Sequence, residues 1–266
     1  VHQGVDYRRE YDMKYKTPAE ASSMPGLRIA LTTGLPAPWS MAARFMFDVK
    51  GIDYVPVLQV AGQANEELVA WTGHRNAPVV VFEDEAPRTN WADILDLAER
   101  LNPAPRLIPT DGEERIRMFG LCNEICGAGG LTWNARHLML APMMKARDEK
   151  LVAMGRTMAK AYGYSDAAAA AAPQRIGEIL GLLTSQLEAQ NSQGIPYFIG
   201  SSLSALDLIW ASFSNTLRPL PEDVNPMDVG IRKAYQGMGE LAKPPEVLFE
   251  HRDYIYQNDL ELPLDF

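Results

Sequence analysis

Two hydrophobic rhythms divide the chain. Residues 27–33 (LRIALTT) form a short apolar run closed by Gly34, the pattern of a buried strand. The loop Gly34-Leu35-Pro36-Ala37-Pro38-Trp39 follows, and Ser40 reads as a helix cap before residues 41–51 (MAARFMFDVKG). There Ala43, Phe47 and Lys50 keep helical spacing, while Phe45, Met46 and Val49 widen the apolar stripe. Residues 54–57 (YVPV) predict a second strand and residues 65–72 (NEELVAWT) a short helix. Residues 77–82 (APVVVF) predict a third strand, whose proline is tolerated at a strand start. A turn over Glu83-Asp84-Glu85-Ala86 leads to a short strand at 87–89. Residues 91–101 (WADILDLAERL) put Ile94, Leu97, Ala98 and Leu101 on one face of an amphipathic helix. This alternation of strands and helices within about 80 residues is an α/β unit.

The rhythm changes after Asn102-Pro103-Ala104-Pro105, Pro109 and Asp111-Gly112, a proline-rich domain boundary. Everything beyond has helical period: residues 113–126, then 131–140 after the interrupting Gly127, Gly129 and Gly130, then 148–162 and 174–190. The alanine run 167–172 is closed by Pro173 and is far too short to span a membrane. Residues 203–217 are apolar nearly all round and mark a central helix, with Ser204 and Asp207 as a short-armed capping box at its start. After Pro219 the chain reads as a tail rich in prolines and charges. The expected fold class is α/β plus all-α, with a polar N-terminal extension over 1–26, an α/β domain over 27–105, and an all-helical domain with a C-terminal tail over 112–266. In the extension Tyr7, Tyr11 and Tyr15 recur every four residues, one face of a short helix. Two readings fit that stripe, a loosely packed solvated tail and an arm gripping a partner subunit.

Composition narrows the function classes. Over 266 residues, 47% hydrophobic and 22% charged residues describe an ordinary globular chain with a core of its own. A formal charge of −9 argues against a nucleic-acid partner, which clustered Lys and Arg would bind. No run reaches the ~18 apolar residues of a membrane helix, and the opening stretch lacks the apolar core of a signal peptide. Two cysteines exclude a disulfide framework and favour a reducing, cytoplasmic compartment. Cys122 and Cys126 share a helix face and read as buried small hydrophobes. The histidines His2, His74, His137 and His251 are scattered without ligand spacing, so no metal site is predicted.

A small α/β unit of this order, a proline opening its third strand, a linker and an all-helical domain resemble the glutathione transferase superfamily, whose N-terminal domain is thioredoxin-like. The resemblance covers about residues 27–217 and rests on three local features. Ala37-Pro38-Trp39-Ser40 looks like the family's Ser-Pro or Cys-Pro motif entering the first helix. Asn76-Ala77-Pro78-Val79 looks like the segment holding its cis-proline, and Phe198-Ile199-Gly200 with Ser204 and Asp207 looks like its buried N-capping box. The resemblance implies a cytoplasmic homodimer that takes glutathione as co-substrate and joins its thiolate to a small apolar electrophile. It implies glutathione contacts from Trp39, Ala77, Pro78, Asn90 and Trp91, with the Ala77 backbone pairing the cysteinyl part as an added strand. Trp133 and Arg136, after the glycine interruption, fall on the helix that faces the substrate in the family.

Two positions depart from the family pattern. Where the family keeps Ser, Tyr or Cys, this chain has Ala37, which offers neither hydroxyl nor thiol. The remaining candidates to stabilise a thiolate are Ser40 and Thr33, although Ser40 serves equally as a helix cap and Thr33 as a strand end. Trp91 stands where a Ser or Thr is usual, with Arg88 near enough in sequence to offset the lost contact. Disulfide-exchange chemistry is disfavoured by Ala37. A non-catalytic ligand carrier or interaction protein of this fold, and a glutathione-dependent lyase or isomerase, are the alternatives.

Overall fold

The computed structural model describes residues 13–266, so Tyr7 and Tyr11 lie outside the described residues. The chain divides into two compact units. The first takes the chain up to Pro105 together with Leu220–Asp228 and Glu261–Phe266; the second takes Arg106–Pro219 and Val229–Leu260.

The first unit runs α1 (Pro18–Ala21), β1 (Leu27–Thr32), α2 (Pro38–Asp48), β2 (Val55–Gln59), α3 (Glu66–Thr72), β3 (Val79–Phe82) and α4 (Trp91–Leu101). Its sheet has the order β2-β1-β3. β1 lies in the middle with all six residues buried, which is what its unbroken apolar run requires. β1 pairs β2 in parallel from Arg28 with Val55 to Thr32 with Gln59, and β3 antiparallel from Leu27 with Phe82 to Ala30 with Val79. The strand predicted at 87–89 reduces to one bridge, in which Arg88 and Val80 exchange two 2.8 Å bonds. Asn90 then caps α4 by accepting from the Ala92 amide at 2.8 Å, which leaves no residues for a longer ladder.

Three sequence expectations are corrected in this unit. α2 begins at Pro38 with Ala37 as its N-cap, so Ser40 lies inside the first turn. Proline at the first helical position, with its φ already helical, is the stronger start signal. The extension is not loosely packed beyond Tyr15. Lys16 pairs with the outer edge of β2, donating to the Pro56 carbonyl and accepting from the Leu58 amide at 2.9 Å each. Thr17 and Glu20 close a capping box on α1, and Ala21 packs with Ala30, Val57, Leu68, Val79 and Val81. Covering an edge strand satisfies its open backbone groups, so a polar stretch can be held by main-chain bonds alone. Tyr15 itself precedes that bridge outside any helix, so the helical stripe does not include it.

Lys50, at the end of the α2 segment, is only 3% exposed. Its ammonium donates to the carbonyls of Asn102 at 2.8 Å and Pro105 at 2.7 Å and pairs with Glu99 at 2.9 Å. A buried charge is tolerated when paired and hydrogen-bonded in this way, and here it ties α2 to the chain leaving α4.

The second unit is helical: α5 (Gly112–Cys126), α6 (Leu131–Met144), α7 (Glu149–Tyr162), α8 (Asp166–Asn191), α9 (Ala205–Ser214), α10 (Val229–Ala242) and α11 (Glu246–Asn258). Every residue of α9 is buried, with α5 and α11 packed against it. Asp207 accepts from the Phe198 amide at 2.9 Å, the Ser204 amide at 2.8 Å and the Ser204 hydroxyl at 2.7 Å. Nε2 of His251 approaches its carboxylate to 3.1 Å without hydrogen-bond alignment. α8 runs through Pro173 instead of ending there, because buried Ala172 and Ile176 carry one apolar face across the proline. The stretch after Pro219 passes through the first unit over Leu220–Asp228, folds into α10 and α11 in the second, and returns to the first at Glu261. Among the described residues no helix is long and apolar enough to cross a membrane.

Candidate functional site

The strand register gathers the candidate residues of the first unit at one end of the sheet. The antiparallel ladder stops at Ala30 with Val79. Past that pair β1 runs on to Thr32, and the chain ahead of β3 runs back through Pro78 to Ala77. The bridge of Val80 with Arg88 brings the chain leading into Asn90 beside β3. The turn after β1, the segment before β3 and the start of α4 therefore lie toward the same end of the sheet, each at the end of a strand or the beginning of a helix. The Ala77-Pro78 bond is cis, as the resemblance implies. Ala77 itself lies outside the ladder, ahead of the first paired residue.

The β1–α2 turn is built on Gly34, whose φ of +75° is a conformation other residues avoid. Pro38 follows at the first position of α2, so the N-terminus of that helix lies directly after the turn. Helix N-termini carry partial positive charge and suit an anion.

The structure gives the two candidate hydroxyls different surroundings. Ser40 is 2% exposed; its hydroxyl oxygen accepts from the Thr32 amide at 3.1 Å and its proton points to Thr32 Oγ1 at 3.4 Å. It ties α2 to β1 from inside. Thr33 is half-buried, with its hydroxyl 3.3 Å from the Gln59 carbonyl. Trp39 and Trp91 are both half-buried, one in the first turn of each helix. The Asn90 side chain is exposed and engaged as the α4 cap. Arg88 pairs with Glu85 at 2.5 Å, a carboxylate it shares with Arg100.

Trp133 and Arg136 belong to the helical unit. The Arg136 guanidinium lies 4.7 Å from the Trp133 ring and 4.1 Å from the Tyr162 ring, while Trp133 meets Tyr162 edge-on at 5.8 Å. Such stacking holds a guanidinium over aromatic faces. Burial draws Arg136 below its ordinary pKa, and it pushes Tyr235, which interacts with that cation, up to about 12. α6, α7 and α10 thus build an aromatic cluster around one cation.

Sequence reasoning missed two features of the first unit. Gln59, the last residue of β2, is buried; its signal was a lone amide closing an apolar strand. Asp265 pairs with Arg44 of α2, and no local pattern in the sequence foretells it.

No protein-family model matches the sequence, and no curated protein does. Solved structures match in fold. A glutathione transferase homologue from Sulfitobacter, with bound glutathione, aligns at a TM-score of 0.52 and 17% identity over 87% of this chain and 99% of that one. A glutathione S-transferase from Methylobacillus flagellatus KT, also with glutathione bound, aligns at 0.53 and 14% over 85% and 98%. A maleyl pyruvate isomerase, a bacterial glutathione S-transferase of the zeta class, aligns at 0.50 and 14% over 87% and 99%. At such identities the likeness is one of fold. The chain has the glutathione transferase fold, a thioredoxin-like α/β unit and an all-helical unit.

Proposed function

We propose that the protein binds glutathione at the gathered end of its α/β unit and joins the thiolate to a small apolar electrophile. The observation that carries this reading is the convergence of residues 33–38, Ala77-Pro78 and Asn90-Trp91, on a fold shared with structures that hold glutathione. An extended peptide can pair with the Ala77 backbone as an added strand. The first turn of α4 suits the γ-glutamyl carboxylate, and Trp39 and Pro38 border the thiol. Trp133 and Arg136 would serve the electrophile on the helical unit. A homodimer and a cytoplasmic location go with this reading.

The energetics of the thiol set its limits. Lowering a thiol pKa by two units needs about 2.7 kcal/mol of preference for the anion. A helix N-terminus supplies about 0.3–1 kcal/mol at an exposed site and up to ~2 kcal/mol when partly buried. A hydrogen bond to a charged group supplies about 1.5–3 kcal/mol. The α2 terminus therefore needs one hydroxyl. Thr33, whose 3.3 Å bond to a carbonyl is long, is the better placed of the two for exchange to a thiolate. Ser40 contributes by holding α2 against β1.

A second reading, a carrier that binds glutathione or another small ligand without activating it, draws on Ala37 and on the inward turn of Ser40. Calorimetry with glutathione, followed by thiolate absorbance of the complex, separates the two. Binding with a thiolate signal at neutral pH supports the enzyme, and binding without it supports the carrier. No binding at millimolar glutathione overturns the enzyme reading and leaves only a carrier of another small ligand.

A further inference from the structure

Gln59 is 2% exposed, and both polar atoms of its side chain are bonded. Oε1 accepts the Thr32 hydroxyl at 2.8 Å. Nε2 donates to the carbonyls of Val60 at 3.0 Å and Arg75 at 3.3 Å. The Gln59 carbonyl accepts from the Thr33 amide at 3.0 Å and from the Thr33 hydroxyl at 3.3 Å. Thr32 extends the network to α2 through Ser40. One buried residue therefore links the end of β1 to the loop that leads into Pro78, its side-chain amide through Thr32 and Arg75 and its backbone carbonyl through Thr33. A second amide supports the same point: Asn65 Nδ2 donates to the Arg75 carbonyl at 3.3 Å and to the Val60 carbonyl at 2.9 Å.

A primary amide at the end of a buried strand carries a desolvation cost that an apolar residue there would avoid. Every bond it makes goes to a segment bordering the gathered end of the sheet. Arg75 stands two residues before Ala77, so the position of its carbonyl governs where the Ala77 backbone lies relative to Thr33. We infer that Gln59 is a positioning residue, which sets the separation between the Thr33 side and the Ala77 side of the glutathione site. The inference rests on the glutathione reading given above.

Gln59→Glu keeps the acceptor for Thr32 and removes the donor to Val60 and Arg75. Calorimetry is expected to show glutathione binding about tenfold weaker at neutral pH. Relative to wild type at the same pH, the loss shrinks toward about pH 5, where a protonated carboxyl regains a donor. A role in stability alone would not give that recovery of affinity. Amide hydrogen exchange quickens at residues 75–77. Asn65→Gly removes the outer donor, together with its bond to the Gln63 carbonyl and the acceptor for the Val60 amide, and suits the φ of +51° at that position. It is expected to weaken binding about threefold and decides the matter if Gln59→Glu does not fold. Wild-type affinity in both variants, or in Asn65→Gly alone when the other is unfolded, overturns the inference and leaves the glutathione reading standing. A wild-type protein that binds no glutathione overturns the reading itself and the inference with it.

Discussion

The amide of Gly34 donates to the carbonyl of Phe266 at 3.2 Å, so the turn after the central strand is pinned by the segment that follows the last helix. Phe266 and Leu264 are each only 3% exposed, and the Leu264 amide donates to the Val224 carbonyl at 2.7 Å. Arg44 adds the polar clasp. It pairs with Asp48 at 2.9 Å, donates to the Asp265 carbonyl at 2.8 Å and meets the Asp265 carboxylate.

Arg44→Ala should release this clasp. Removing a partly buried cation shared by two carboxylates is expected to cost about 2 kcal/mol in urea unfolding. Hydrogen exchange should quicken at residues 261–266 and at Gly34. Unchanged exchange in both segments would show that Leu264 and Phe266 hold the tail by packing alone.

Asp207→Ala should destabilise without altering glutathione affinity. The buried carboxylate accepts three hydrogen bonds, and their loss strands two backbone amides. A cost of about 3–5 kcal/mol is expected. Denaturant unfolding measures the loss, and calorimetry on the folded fraction measures the affinity. A changed affinity in folded protein would give Asp207 a part in binding.

The two cysteines should resist alkylation in the native state. Burial pushes Cys126 up to about 12 and raises Cys122 well above its ordinary value, so neither supplies a thiolate at neutral pH. A thiol reagent at mild alkalinity should label neither in folded protein and both in denaturant. Rapid native labelling would mean that α5 opens readily.

Stability should fall at high pH through tyrosines. Burial raises Tyr15, Tyr197 and Tyr235 to about 12 from the ordinary 10.0. With folded values above unfolded ones, their contribution is complete below about pH 10 and is lost as pH rises toward about 12. Tyrosinate absorbance and circular dichroism recorded together should show these residues ionising with unfolding. Their titration near pH 10 in a fully folded protein would contradict the burial described here.

Local signals account for the elements that were legible in the sequence. The run 27–33 reads as a buried strand because burial on both faces erases alternation, and residues 91–101 read as a helix because their apolar stripe keeps helical period. Ser204 and Asp207 announced the start of α9 by spacing alone. Where two local rules compete, the choice needs tertiary contacts. Pro38 and Ser40 both signal a helix start, and the bond of Ser40 to Thr32 shows which one prevailed. Pro173 marks a helix end by propensity, yet the face buried through Ala172 and Ile176 outweighs it. Gln59 with Arg75, Lys16 with β2, and Arg44 with Asp265 were illegible because each joins segments that only the completed fold brings together.

The central claim concerns where glutathione sits. Titrating isotopically labelled protein with glutathione and following its amide resonances tests it most directly. Shifts that saturate together at residues 33–39, 75–77 and 91–92 are predicted. No shifts at millimolar glutathione, or shifts confined to other surfaces, would contradict the account.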